Sequence, residues 1–156
     1  MAVPMINGLY ETHLDVENLE RSITFYSEVL GLKQCRFDNN RRLAFFWVGE
    51  DRQQMLGLWE KPKDQIEKRH FAFKCDPEWI AKESIDFLKS HGLNYWNFLQ
   101  DDNDKPMVFV WVPAIAIYFT DPDGHYLEFL GLLDGNTQPD EEHRIVSYEE
   151  WLKLNI

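Results

Sequence analysis

A single carboxylate, Glu128, interrupts the segment HYLEFLGLL, whose aromatic and aliphatic residues otherwise predict a β-strand. The preceding DPDG predicts a tight turn, because Asp121 can accept bonds from the backbone ahead, Pro122 presets its own φ and Gly124 suits the left-handed region. Together with the apolar AIAIYF segment, this predicts a hairpin. A carboxylate buried in such a strand without a partner is costly. Glu128 therefore faces either water or a positive charge, and a divalent cation would supply that charge.

Two histidines and another carboxylate are further candidate ligands. Glu11 and His13 lie two residues apart in YETHLDV, a predicted strand, so their side chains share one face. His70 lies at the start of the predicted strand RHFAFKC. Imidazole combined with carboxylate suits Zn, Mn, Fe, Co or Ni, and a histidine beside such a site can also move a proton. Taken alone, Glu11 and His70 also suit surface positions, and His13 suits a core position.

An internal repeat relates these positions to one another. The predicted elements follow the order strand, helix and three strands twice, with a period of roughly sixty residues. Val16 and Cys75 end the first strand of each copy, and counting back five residues from each gives Glu11 and His70. The repeat predicts an α+β fold of two βαβββ modules, related by a pseudo-twofold axis, that form a cleft between curved mixed sheets.

The repeat also sets the predicted organisation of the chain. We expect a single domain over residues 8–133, with module one at about 8–60 and module two at about 69–133. We expect residues 134–156 to form a C-terminal tail with a short helix, because Ser147 and Glu150 have the spacing of a capping box.

Each module contains one predicted helix with its own start signal. Asn18 is the predicted cap of the first helix, and Asp76 followed by Pro77 is the predicted start of the second. The second helix is predicted to continue without a break to Gly92.

Composition argues against several classes of function. The chain has 156 residues, a formal net charge of -11 and a pI of about 4.8, so nucleic acids and anionic membranes are poor partners. No apolar run approaches the roughly twenty residues of a membrane helix, and the N-terminal segment lacks the pattern of a signal peptide. Two cysteines without metal-type spacing, Cys35 and Cys75, favour a reducing cytoplasm over secretion.

The segments HLDVENLERSITFYSEVLGL, RHFAF and DPDGHYLEF, in this order, resemble the vicinal oxygen chelate superfamily. That superfamily holds glyoxalase I, fosfomycin-resistance thiol transferases, extradiol dioxygenases and bleomycin-binding proteins. The resemblance implies that residues 8–133 form one vicinal oxygen chelate domain with one divalent metal ion per site. It also implies a homodimer, which would cover the open edges of the sheets.

The resemblance implies a role for each candidate residue. His70 of RHFAF matches the metal-binding histidine of the second module, and Glu128 of DGHYLEF matches the carboxylate ligand of the last strand. The first-strand ligand falls on Glu11, where many relatives have His or Gln, so Glu11 and His13 are alternatives for it. We assign catalysis to His13 and metal binding to the other three residues. Glu60, at the end of QQMLGLWE, is a weak candidate for the fourth ligand of glyoxalase-type enzymes.

Two classes of function follow from the resemblance. The first is a metalloenzyme with Zn, Ni, Mn, Co or Fe: a glyoxalase-like lyase, or a related thiol-dependent detoxifying enzyme that also binds a low-molecular-weight thiol. Its substrate would be a small oxygenated molecule, and an extradiol-type dioxygenase is the alternative enzyme. The second class is a non-catalytic drug- or metabolite-binding protein of the bleomycin-resistance type, which suits the acidic, tryptophan-rich composition. Retention of the histidine and carboxylate ligands favours the enzyme.

Overall fold

The computed structural model of the chain describes residues 4–101, 103–141 and 143–154. The chain divides into two compact units, with the boundary between Glu67 and Lys68. Each unit is built on its own open sheet, of four strands in the first and six in the second, accompanied by short helices. The predicted α+β fold with two mixed sheets is therefore confirmed.

The first unit contains one sheet and one helix. Its elements are β1 Glu11–Val16, α1 Leu19–Thr24 continued by a π-helical turn Phe25–Val29, β2 Lys33–Asp38, β3 Leu43–Val48, β4 Gln54–Glu60 and a 3-10 turn Lys63–Gln65. The strand order is β1-β4-β3-β2, with β1 parallel to β4 and the other pairs antiparallel. Each residue of β1 therefore lies beside a residue of the last strand of the same unit.

The helix of the first unit begins and ends at the predicted signals. The side chain of Asn18 accepts a hydrogen bond from the backbone N–H of Arg21 at 2.8 Å, and Gly31 follows the helix with φ +71°. Tyr26 is fully buried and lies 6.2 Å, ring centroid to ring centroid, from the buried Phe46 of β3. Burial of this apolar helix face against the sheet stabilises the unit.

The second unit repeats this plan with additions. Its elements are β5 His70–Lys74, α2 Pro77–Lys82, α3 Ser84–Ser90, β6 Tyr95–Trp96, β7 Met107–Phe109, β8 Ala114–Thr120, β9 Tyr126–Leu132, a 3-10 turn Pro139–Glu141, β10 Ile145–Ser147 and α4 Tyr148–Leu154. The strand order is β10-β7-β8-β9-β5, and β6 also pairs with β8. As in the first unit, the first strand lies parallel to the last strand of the hairpin.

One helix of the second unit is broken where the sequence predicts continuity, and a connecting segment separates two of its strands. The helix expected to reach Gly92 divides at Glu83, beside a buried Ser84 whose hydroxyl donates to the carbonyl of Ile80 at 2.6 Å. The strands β6 and β7 both pair with β8 and are separated by a loop at 97–106. The buried Asn97 holds that loop through its side-chain amide, which donates to Asp101 at 2.8 Å.

The C-terminal segment adds a strand that the sequence analysis did not anticipate. β10 pairs antiparallel with β7, which makes this segment part of the second sheet. α4 lies where the capping-box spacing predicts a helix: Ser147 Oγ accepts from the N–H of Glu150 at 3.2 Å, and the Glu150 carboxylate accepts from the N–H of Ser147 at 2.8 Å. In the part of the chain that the structure describes, no helix is long and apolar enough to cross a membrane.

Candidate functional site

The carboxylate of Glu128 is buried in the second sheet, where the residue is only 5% exposed. The strand register places Glu128 between Ala72 of β5 and Tyr118 of β8. Of the two predicted environments, bulk water is therefore excluded. A side chain of this kind needs hydrogen-bond donors or a cation close by.

His70 supplies the nearest positive or coordinating group. Its Nε2 lies 3.3 Å from Oε2 of Glu128, which confirms the predicted proximity of these two side chains. Its Nδ1 lies 3.0 Å from the backbone oxygen of Tyr126. Because a carbonyl oxygen can only accept, Nδ1 donates its proton there, and in the neutral ring Nε2 then directs a lone pair towards Glu128. Two electron-rich atoms facing each other require a cation between them, either a proton or a metal ion.

Tyr118 contacts the same carboxylate from the neighbouring strand. Burial raises the pKa of Tyr118 far above its usual value, and the charge of Glu128 raises it further. The phenol therefore stays protonated and donates a hydrogen bond to Glu128. Burial also raises the pKa of Glu128, against the opposing effects of His70 and Tyr118. The site thus holds a carboxyl group that has lost most of its water.

The DPDGH turn fixes the register that brings His70 to this position. Asp121 accepts from the backbone N–H of Asp123 at 3.0 Å and of His125 at 2.8 Å, and Gly124 has φ +78°. The imidazole of His125 is fully buried, and its Nδ1 accepts from the N–H of Arg69 at 3.1 Å. This bond ties the start of β5 to the turn before β9. The sequence analysis assigned no role to His125, because its partner is 56 residues distant in the chain.

Aromatic side chains surround the exposed edge of His70. A cavity of about 670 Å³ is lined by His70, Trp96, Phe98, Gln100, Tyr118 and Tyr126. Trp96 stacks on Tyr118 with an interplanar angle of 13° and a centroid distance of 6.1 Å, and it meets the edge of Tyr126 at 5.7 Å. Such a lining favours flat or apolar ligands.

In the first unit, Glu11 and His13 lie side by side as the shared face of β1 predicts. Nε2 of His13 is 3.6 Å from Oε1 of Glu11. On the other side of the ring, the indole N–H of Trp59 donates to Nδ1 of His13 at 2.8 Å. Because an indole can only donate, Nδ1 must be an acceptor. The proton of the neutral His13 ring therefore lies on Nε2, next to the carboxylate of Glu11.

Gly57 leaves the space that the ring of His13 occupies. The two residues are paired between β1 and β4, and a Cβ atom at Gly57 would lie 2.7 Å from Nδ1 of His13 and 3.0 Å from the ring of Phe45. Gly57 stands at the centre of β4, and the carboxylate of this strand, Glu60, is at its end. A larger side chain at this position is incompatible with the observed imidazole position.

We therefore expect Gly57→Ala to displace the His13 ring and to break its hydrogen bond with Trp59. The change in the free energy of unfolding should be small, within about 1 kcal/mol. Strands favour alanine over glycine by about 0.5–1 kcal/mol, and this gain offsets the cost of displacing the ring. The measurement is the indole N–H resonance of Trp59 in a ¹⁵N–¹H spectrum, assigned with Trp59→Phe; it should move towards the position of a water-exposed indole. Gly8→Ala, where nothing lies within 4 Å, is the matched control. An unchanged Trp59 resonance would contradict the observed contact.

The carboxylate of Glu60 forms hydrogen bonds that link three segments of the first unit. Its carboxylate accepts from Nε of Arg42 at 2.8 Å, from Nη2 of Arg42 at 2.7 Å and from the backbone N–H of Leu19 at 3.0 Å. The Arg42 bond is the main cause that lowers the pKa of Glu60 to about 2. Both oxygens thus accept hydrogen bonds within the first unit, which disfavours the fourth-ligand role considered from the sequence.

Metal binding by the candidate residues stays a prediction. Over residues 4–101, 103–141 and 143–154, no three His, Cys, Asp or Glu side chains within one unit are grouped as a complete metal site. Glu11 and His13 form a pair in the first unit, and His70 and Glu128 form a pair in the second.

Comparisons with known proteins agree with this fold and these motifs. Residues 9–129 match the family model described as Glyoxalase/Bleomycin resistance protein/Dioxygenase superfamily. The chain is 33% identical over 138 residues to a metallothiol transferase FosB from Lysinibacillus sphaericus, covering 83% of each chain. It is 28% identical over 135 residues to a glutathione transferase FosA from Serratia marcescens, covering 80% of each. An integron cassette protein from the mobile metagenome of the Halifax Harbour Sewage Outfall is 35% identical, with a TM-score of 0.70 over 81% of this chain and 100% of that one.

Proposed function

We propose that this chain, which belongs to the Glyoxalase/Bleomycin resistance protein/Dioxygenase superfamily, is a divalent-metal-dependent enzyme acting on a small oxygenated substrate. The two reaction classes are glyoxalase-like lyase chemistry and transfer of a thiol. The relatives' names, metallothiol transferase and glutathione transferase, describe those proteins. They favour the thiol-transfer class here, with a low-molecular-weight thiol as second substrate.

The contact between His70 and Glu128 carries the proposal. Two ligand atoms bound to one metal at about 2.0–2.2 Å, with angles of about 90–110° between them, lie about 2.8–3.6 Å apart. The observed separation of 3.3 Å falls within this range. The donor types, an imidazole nitrogen and a carboxylate oxygen, suit Zn, Mn, Fe, Co or Ni. The hydrogen bond from Nδ1 to Tyr126 orients the ring as a bound histidine requires.

Each candidate residue has a defined task in this proposal. His70 and Glu128 would hold the metal, which when bound would act as a Lewis acid towards a substrate oxygen. Tyr118 donates to Glu128 and so fixes the orientation of the carboxylate. Glu11 is proposed as the first-strand ligand and His13 as the proton-transferring residue. Because the Trp59 N–H occupies Nδ1 of His13, Nε2 is the atom of that ring that would exchange a proton.

Untagged protein treated with a chelator and dialysed tests this proposal directly. Titration with Mn²⁺, Ni²⁺ or Zn²⁺ in a calorimeter should show about one bound ion per chain. Turnover is assayed with glutathione and methylglyoxal for the lyase class, and with glutathione or cysteine and a simple epoxide for the transferase class. Chelation should abolish turnover, and added metal should restore it. Turnover that is unaffected by chelation, or a chain that binds no ion, would refute the metalloenzyme.

The aromatic cavity supports a second candidate, a non-catalytic protein that sequesters a drug or metabolite. Trp96, Tyr118 and Tyr126 offer stacking surfaces, and the net charge of -11 suits a cationic ligand. For this candidate, we expect that treatment with a chelator leaves the affinity for the ligand unchanged. We also expect the ligand to be recovered chemically unchanged after binding. The same chelation experiment therefore separates the two functions.

A further inference from the structure

We propose that the ligand of this chain is a molecule with an extended apolar tail that carries no anionic group, and that a second cavity in the second unit binds the tail. We name the cavity beside His70 the head cavity. The tail cavity has a volume of about 560 Å³ and is lined by Phe98, Leu99, Phe109, Trp111, Val112, Tyr118, Leu130, His143 and Ile145. The assignment of the polar end to the head cavity rests on the proposed function, whereas the tail cavity stands on its own geometry.

The two cavities adjoin each other, because two of their lining residues are the same. Phe98 and Tyr118 line both of them, so a molecule seated beside His70 can extend past these two rings without leaving the protein surface. The volumes, about 670 and 560 Å³, each fall within the range of ordinary small-ligand sites, about 300–1,000 Å³. In the described part of the chain, the head end has His70, the Glu128 that it contacts and Gln100, whereas the tail lining is apolar and aromatic apart from His143. This polarity from one end to the other matches an amphiphilic ligand.

The lining residues select against an anionic tail. Among the residues that the structure describes, no lysine or arginine lines either cavity, so no side chain of these two types would neutralise an anionic group on the tail. The formal net charge of the chain is -11, which further disfavours an anion. A small anionic substrate would leave the tail cavity empty and its apolar surface in contact with water.

Two aromatic side chains that line the tail cavity are largely exposed to solvent. Phe98 is 53% exposed and Trp111 is 41% exposed, although Phe98 meets the edge of Phe109 at 5.2 Å. Contiguous exposed aromatic surface that adjoins a cavity is characteristic of ligand sites. An alkyl or aryl tail would remove this surface from water.

The C-terminal segment contributes one wall of the tail cavity. His143 and Ile145 line it, and both lie beyond residue 129, where the match to the family model ends. Pairing of β10 with β7 holds Ile145 in place. The tail cavity is thus built partly from a segment outside the shared family core, which is where ligand selectivity can differ between relatives.

A neutral probe tests the tail cavity in metal-free protein. N-phenyl-1-naphthylamine should bind with increased fluorescence, and a series of straight-chain 1-alkanols should displace it. Each added CH₂ group should tighten alkanol binding about three- to four-fold, until the chain outgrows the cavity. At equal length, an alkanoate should displace the probe more weakly than the alkanol. A flat response to chain length, or a preference for the alkanoate, would overturn the inference.

Matched phenylalanine variants localise the binding. Phe98→Ser should weaken probe binding at least about five-fold, and Trp111→Ser should do the same. Phe37→Ser is the control, because Phe37 is 46% exposed on β2 of the first unit and lines neither cavity. Equal effects of Phe98→Ser and Phe37→Ser would overturn the inference.

Metal titration of the same samples keeps the two proposals separable. If the chain binds metal but shows no dependence on alkanol length, the tail cavity is refuted and the metalloenzyme stands. If the length dependence holds and no metal binds, the tail cavity stands and the metalloenzyme is refuted.

Discussion

Replacing His70 with alanine is expected to lower the affinity of the chain for a divalent metal at least about 100-fold. Loss of a group that merely orients a ligand costs about 10–100-fold, and loss of the ligand itself costs more. Calorimetric titration of chelator-treated protein measures the change. His91→Ala is the matched control, because His91 ends α3 and bonds the carbonyl of Phe87 rather than a carboxylate. Equal metal affinity of His70→Ala and wild type would remove His70 from the site.

The remaining candidate ligands are compared in the same titration. Glu128→Gln should lose metal to a similar extent, since the amide keeps the shape of the side chain but not its charge. Glu11→Gln and His13→Ala should differ from each other. The residue that supplies the first-strand ligand loses metal, and the other loses turnover while metal is retained. The bond from Trp59 to Nδ1 of His13 favours Glu11 as the ligand. Metal loss only in His13→Ala would reverse the two assignments.

Glu128→Gln should also raise the melting temperature of the metal-free protein at neutral pH. Burial raises the pKa of Glu128 above its ordinary value of 4.5, so ionisation of this carboxyl in the folded protein is unfavourable. The amide carries no charge and avoids that cost. The expected increase is about 2–4 °C, the change that about 1 kcal/mol produces in a chain of this length.

The difference in melting temperature between Glu128→Gln and wild type is expected to grow with increasing pH. A folded-state pKa above the unfolded one means that the contribution of Glu128 to stability is fully present below about pH 4.5. That contribution is lost as the pH rises through the folded-state pKa. The difference in melting temperature between Glu128→Gln and wild type should therefore increase as the pH rises through the folded-state pKa, and it should remain at neutral pH. Melting curves recorded with chelator from about pH 4 to about pH 8 measure it, with the exposed Glu28→Gln as control.

At saturating metal, wild type should melt at a higher temperature than Glu128→Gln. A ligand present at about 100 times its Kd adds about 2.7 kcal/mol to the protein that binds it, which is wild type and not Glu128→Gln. A structural ion pair with His70 gives the opposite result in metal-free protein, because loss of one partner then destabilises the fold. Metal-free Glu128→Gln melting below wild type at neutral pH would thus favour a structural pair over a metal site.

The sequence by itself determined the elements and the turn that place Glu128. The cap at Asn18, the cap at Asp76 and the DPDG turn are encoded within a few residues, and each forms as predicted. The period-two alternation placed Glu11 and His13 on one face of β1. Comparison of the two repeats indicated His70. These features depend on local backbone preferences and on side-chain periodicity, which a single sequence records directly.

Only the tertiary structure decided which partners these residues have. Glu60 looked available in the sequence, but Arg42, 18 residues earlier, occupies its carboxylate. Nothing adjacent to His13 predicts a bond from Trp59, which is 46 residues further along the chain. The pairing of β10 with β7 places Ile145 at the tail cavity, whereas the sequence predicted no strand in the C-terminal tail, only a short helix. Such contacts join positions that are distant in sequence, so they depend on how strands pair and pack and leave no local signal in the chain.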